Sequence, residues 1–138
     1  MSATKKPWVN GPFALISSSK SGDSLEKPAS GVRKCAAEMS AVHSLLIRGI
    51  NAIHLQAVNV AQRGTKKDKL DFSNFCWVWS EELQEHHNIE ETMIFPEINE
   101  LAGVPGLMDA NVEEHKMFHD GLSNFRNYID KIREEGRN

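Results

Sequence analysis

Imidazoles and carboxylates at helical spacing are the residues of this sequence best suited to chemistry. In Glu85-His86-His87-Asn88-Ile89-Glu90-Glu91-Thr92-Met93-Ile94-Phe95-Pro96, His86 with Glu90 and His87 with Glu91 are both spaced i, i+4, which sets each pair on one face of a helix. That is how a helix presents a metal-ligand pair. The same letters on a solvated helix would serve solubility alone, so their surroundings decide between the two readings. The chain has six histidines, and His43, His54, His86, His87, His115 and His119 all fall in three segments with helical periodicity.

The first such segment runs from about Val32 to Gln62, where Met39, Val42, Leu46, Ile50, Ile53 and Ala57 recur at steps of three and four and Gly64 makes a stop. His43 lies on that apolar stripe. His54 follows close to three turns later, so both are expected to look inward, with His54 the weaker ligand candidate. The second segment covers about 70–100 after a polar link in which Asp68 or Asp71 can cap the helix. Its inward stripe reads Phe72, Phe75 or Cys76, Trp79, Leu83, His86, Glu90 and Met93, so the opening motif continues the face that buries the aromatics. A carboxylate on that face is costly to bury unless paired or ligated, which favours the metal reading over the solvated one. Pro96 removes a backbone hydrogen bond and crowds the Thr92 carbonyl, so a kink is expected there. The third segment covers about 110–134, started near Asn111 by a loose capping box with Glu114. It carries His115, Phe118, Leu122, Phe125, Ile129 and Ile132 on one stripe, with His119 one turn after His115.

Ahead of these helices, residues 1–31 hold Pro7, Pro12, Pro28 and the Ser17-Ser18-Ser19 cluster without periodicity. They read as an extended arm whose Trp8, Phe13, Leu15 and Ile16 pack on the helical body, with Ser17 to Lys27 looser. Residues 32–135 then form one all-α domain. Short connections favour antiparallel neighbours, which brings His43, His86 with Glu90, and His115 toward one end of a bundle. Imidazole and carboxylate together suit iron or another first-row metal better than calcium or magnesium, and zinc is chemically acceptable.

Bulk properties exclude other classes. With 16 basic and 19 acidic residues the net charge is −3 and the basic residues are scattered, so nucleic acid is not an expected partner. The longest apolar run, Phe75 to Trp79, is far short of a membrane span, and Met1 to Pro12 lacks the order of a signal peptide; the expectation is a soluble, cytoplasmic protein with no membrane partner. Two cysteines, Cys35 and Cys76, make neither a disulfide framework nor a zinc ribbon, and both are expected as small buried residues.

Ser40-Ala41-Val42-His43-Ser44-Leu45-Leu46-Ile47-Arg48-Gly49, the His86-His87-x-x-Glu90-Glu91-x-x-x-Phe95-Pro96 block and Asn111-Val112-Glu113-Glu114-His115 resemble the hemerythrin-like HHE cation-binding domain. Trp8 and Gly11-Pro12-Phe13 are similar to the amino-terminal arm of its fungal branch, so the resemblance covers roughly residues 7–132. It implies an up-and-down four-helix bundle around a non-haem, usually di-iron, centre. Position by position, it implies His43 as the first-helix ligand, His86 and Glu90 as the second-helix pair with Glu90 able to bridge, and His115 as the third-helix ligand. His87, Glu91 and His119 are further candidates, because the doubled letters leave the register ambiguous by one residue and His119 follows His115 by one turn. Measured against the family pattern, this chain is expected to lack the fourth helix and its ligands. Phe118, Phe125 and Ile129 are then expected to lie exposed, and a full di-iron centre is doubtful unless the arm, a second copy or another protein fills the gap. The function implied is iron binding through a His/Glu site, with dioxygen binding or sensing, or iron handling. The alternatives are a non-haem iron enzyme activating oxygen on a small substrate, and a helical interaction module with a vestigial site.

Overall fold

The computed structural model describes residues 8–16 and 30–137, and among them there are helices and connections but no strand. After a 3-10 turn at Trp8–Asn10 come α1 (Ser30–Arg63), α2 (Lys66–Ile89), a π-helical turn at Glu90–Ile94, α3 (Phe95–Ala102) and α4 (Asp109–Arg137). The chain divides into two units, Met1–Asn59 and Val60–Asn138. The expectation for Ser17 to Lys27 lies outside the described residues.

In the first unit, the arm is tied to α1 by one side chain. Asn51 is fully buried; its Oδ1 accepts from the Phe13 amide at 2.8 Å, and its Nδ2 donates to the Val9 and Phe13 carbonyls at 2.8 and 2.9 Å. An amide offers one acceptor and two donors, and here it satisfies a turn of chain that has no secondary structure to pair with. Ser44 Oγ donates to the Ile16 carbonyl at 3.1 Å and Arg48 Nε to Asn10 Oδ1 at 3.0 Å, extending the seam along one face of α1. On the predicted stripe Ile53 is buried, whereas Val42, expected inward, is exposed; Leu55 and Val58, off that stripe, are exposed as well. His54 corrects the expectation of an inward imidazole. It is exposed, and its ring stands edge-on to Phe13 with centroids 5.5 Å apart.

In the second unit, α2 starts one turn earlier than the periodicity suggested. Thr65 is the N-cap: its hydroxyl accepts from the Asp68 amide, and the Asp68 carboxylate accepts from the Thr65 amide at 2.9 Å, a complete capping box. Asp68 thus closes the box from the third helical position, with its carboxyl held below the usual range chiefly by the Thr65 hydroxyl and then by the Thr65 amide. Helices α2 and α4 pack antiparallel. Ascending α4, His115 meets Glu91, Phe125 stands edge-to-face on Trp79, Arg126 pairs with Glu81, and Arg133 bonds Asn74 while lying 4.4 Å over the Trp77 ring. This packing corrects part of the expected exposed stripe, because Ile129 is buried and Phe125 half-buried; Phe118 is exposed, as expected.

The long second helix is interrupted where Pro96 predicts trouble, by widening. The Phe95 amide bonds to the Glu90 carbonyl, five residues back, and α3 then begins with Pro96 in its first turn. A π turn takes up one extra residue, which relieves the clash that the proline ring would make with the Thr92 carbonyl. Thr92 Oγ1 donates to the Asn88 carbonyl at 2.6 Å, satisfying one of the groups disturbed by the widening. The extra residue moves the inward register forward. Phe95 is buried, and Met93, expected inward, is 65% exposed. Upstream, Cys76 and not Phe75 takes the buried position.

Gly103, in the left-handed conformation at φ 64°, ends α3, and the Val104 amide bonds back to the Asn99 carbonyl. Helix α4 begins at Asp109, slightly ahead of the expected Asn111 start, with the Asp109 amide bonded to the Gly106 carbonyl.

The cysteines differ from one another. Cys35 is exposed, correcting the expectation of burial, and Cys76 is buried, which pushes its thiol up to about 11. A thiol held protonated and shielded does not react. Native protein titrated with a disulfide thiol reagent at pH 8 is therefore expected to release colour from one cysteine promptly, and from the second only after denaturation.

Candidate metal centre

Glu90 sits where α2 gives way to the π turn, and it is 1% exposed. Its Oε1 lies 3.3 Å from His86 Nε2, one turn earlier, and its Oε2 lies 3.4 Å from Nε2 of His115 at the start of α4. One buried carboxylate thus faces two imidazoles from two helices. His115 is held on both sides, since its Nδ1 lies 2.8 Å from Glu91 Oε1. Consecutive residues Glu90 and Glu91 reach opposite nitrogens of the same ring, the first buried and the second part-exposed.

The His115 distances differ in kind. A contact of 2.8 Å is a charge-assisted hydrogen bond, so Nδ1 carries the proton shared with Glu91 and Nε2 becomes the donor atom. The separations around Glu90, 3.3 and 3.4 Å, are long for such bonds. Each lies near the separation of two donors on one ion, because two ligand atoms each about 2.1 Å from a metal stand roughly 3.0–3.4 Å apart at octahedral to tetrahedral angles. The donor set therefore fits a first-row metal, with Glu91 orienting His115.

His87 completes the cluster. Its ring stacks on His115 with centroids 3.9 Å apart and planes 18° apart, and it lies 5.2 Å from the Phe118 ring. One donor atom each from His87, Glu90 and His115 lie within 4.8 Å of one another. The sequence pairing of His87 with Glu91 overlooked its i, i+3 relation to Glu90, which also shares a face. Phe95 closes the cluster from below, its ring 5.6 Å from His115. Beside the imidazoles, a cleft of about 180 Å³ opens between α2 and α4, lined by Gln84, His87, Asn88, His115, Phe118 and Leu122, among others.

His43 is half-buried on α1, in the Met1–Asn59 unit. His119 is exposed at the rim of the cleft, 3.8 Å from Asp120, and is not gathered with Glu90. Phe95 and the Glu91–His115 bond are the parts of the centre that sequence reasoning missed. The first depends on the π turn; the second was signalled only by the doubled Glu90-Glu91.

A helical protein with a buried carboxylate between imidazoles of different helices belongs, by fold and site, among the helical metal-binding proteins that draw ligands from facing helices. Residues 36–138 match the hemerythrin HHE cation binding domain, and the chain belongs to that family. It is 28% identical over 128 residues to the dimeric xanthone biosynthesis cluster protein R11 of Cryptosporiopsis sp. (strain 8999), an alignment that takes in 92% of this chain and 47% of that protein. The chain thus spans about half the length of this relative. No solved structure matches it. No helix among the described residues is long and apolar enough to cross a membrane.

Proposed function

We propose that the chain binds iron through His86, Glu90 and His115, and that the bound iron serves dioxygen binding or sensing, or iron handling, in the cytoplasm. One observation carries this reading: Glu90, 1% exposed, sets its two oxygens 3.3 and 3.4 Å from imidazole nitrogens of two helices. A carboxylate in that position is costly unless a cation compensates it. Iron, when bound, supplies Lewis acidity and open coordination positions; zinc suits the same donors. Glu90 and the imidazoles hold the ion, Glu91 keeps the His115 tautomer, and Phe95 limits water on one side. His43 is proposed as a further ligand on its sequence position, and a second copy of the chain or another protein is proposed as a partner.

The second reading is an iron enzyme that activates oxygen on a small substrate. Two observations favour it: the cleft beside His87 and His115, and the relative whose name places it in a biosynthesis cluster. The cleft, about 180 Å³, is below the roughly 300–1,000 Å³ of pockets for drug-sized molecules, which restricts the substrate and leaves binding or sensing as the first reading.

Protein loaded anaerobically with ferrous iron distinguishes the two. The expected result is a visible absorption band that appears with oxygen and reverses when oxygen is removed. Sustained oxygen consumption with a co-substrate would establish the enzyme instead.

A further inference from the structure

We propose that the far end of the α2–α4 pair holds a small-molecule site separate from the metal centre, which takes a monocarboxylate with a compact apolar body. It is the cavity of about 380 Å³ lined by Lys66, Lys69, Leu70, Ile132, Glu135 and Gly136. Leu70 stands roughly 25–30 Å along α2 from His87 and Glu90, at about 1.5 Å per residue, so this site works whether or not the metal centre is filled.

The apolar side of the cavity comes from both helices. Leu70 of α2 and Ile132 of α4 line it, each half-buried, so apolar surface remains for a ligand to cover. Gly136 keeps the floor open. A Cβ at that position would stand 3.3 Å from Leu70 Cδ1, and a longer side chain would take the space that the cavity now offers. The volume falls within the roughly 300–1,000 Å³ of small-molecule pockets.

Charge selects the head group. Lys66 and Lys69 are spaced i, i+3, which sets two ammonium groups on one face of the first turn of α2, where like charges repel. Between them Lys67 pairs with Asp71, and Asp68 is committed to the Thr65 capping box, whereas neither Lys66 nor Lys69 is ion-paired among the described residues. The cap already serves the helix end, so recognition falls to the two lysine side chains. Glu135, on the α4 side of the lining, offsets one of their charges and leaves the lining at +1 (2 − 1). That balance suits a single carboxylate better than a doubly charged phosphate, and the stems of the lysines extend the apolar surface that its body would cover.

Octanoate is the probe, titrated into the whole chain and read by amide shifts in proton–nitrogen correlation spectra. Saturable shifts are expected at residues 66–70 and 132–136, in the wild type and equally in Glu90→Gln. Lys66→Gln and Lys69→Gln are each expected to weaken binding about two- to fivefold, the scale of one exposed charge contact, while Lys67→Gln leaves it unchanged. Gly136→Leu is expected to abolish it by filling the floor. Octan-1-ol, which has the body without the charge, and inorganic phosphate, which has charge without the body, are each expected to bind more weakly than octanoate. Octanoate that shifts none of these amides, or shifts those around His115 in their place, overturns the site. Octan-1-ol that binds as tightly as octanoate, with both lysine variants unaffected, reduces the cavity to bare apolar surface and overturns it as well.

Discussion

Glu90→Gln is expected to abolish metal binding while leaving the apo protein at least as stable as the wild type. The substitution keeps the shape of a side chain that is 1% exposed and removes the single negative charge between His86 and His115. Without an ion, a buried carboxylate is a cost to folding, and a neutral isostere in its place is often neutral or stabilising. With an ion, the carboxylate is the anionic ligand of the centre, and its loss exceeds the roughly 10–100-fold penalty for an orienting group such as Glu91. The two effects separate in thermal unfolding. A metal at about 100 times its dissociation constant adds roughly 2.7 kcal/mol to the wild type, seen as a rise in Tm, and that rise should vanish in Glu90→Gln. A variant that keeps the metal-dependent rise would show that Glu90 is not a ligand.

The second large effect concerns the arm. Asn51→Ala is expected to cost about 3 kcal/mol, because two carbonyls and one amide lose their partner at once and each buried unsatisfied group costs roughly 1–3 kcal/mol. Partial escape of the arm to water limits the total. Asn51→Asp should cost at least as much despite its shape, since the atom that donates to the Val9 and Phe13 carbonyls becomes an acceptor facing acceptors. Urea denaturation gives the stability, and exchange of the Phe13 amide gives the location. Loss of Phe13 protection under native conditions is the expected mark of a released arm, and full protection in Asn51→Ala would contradict it.

The sequence carried the helical class and the periodicity that sets His86, Glu90 and His115 inward, because those signals repeat over many turns. What it hid came from single residues that override a period. Pro96 is plain to read, but the π turn ahead of it is not, and the one-residue advance exchanges Met93 for Phe95 on the inner face. Asn51 looks like a polar interruption between Ile50 and Ile53, and only the folded arm shows what its amide is for. His54 falls on the same line as His43 by counting, but Ile53 beside it takes the buried position, so the His54 ring meets solvent and Phe13. The doubled His86-His87 and Glu90-Glu91 left the register open because either pair fits a helix. The contacts of His115 distinguish the carboxylates: one faces Nε2 from a buried position, the other holds Nδ1 from the rim.

The most direct measurement of the central claim is the metal content of the purified chain after expression in iron-supplemented medium, read together with ferrous and zinc titration of the metal-free protein. Bound iron that is retained through gel filtration and lost in Glu90→Gln is the predicted result. Wild-type protein that carries neither iron nor zinc and takes up neither on titration would contradict it.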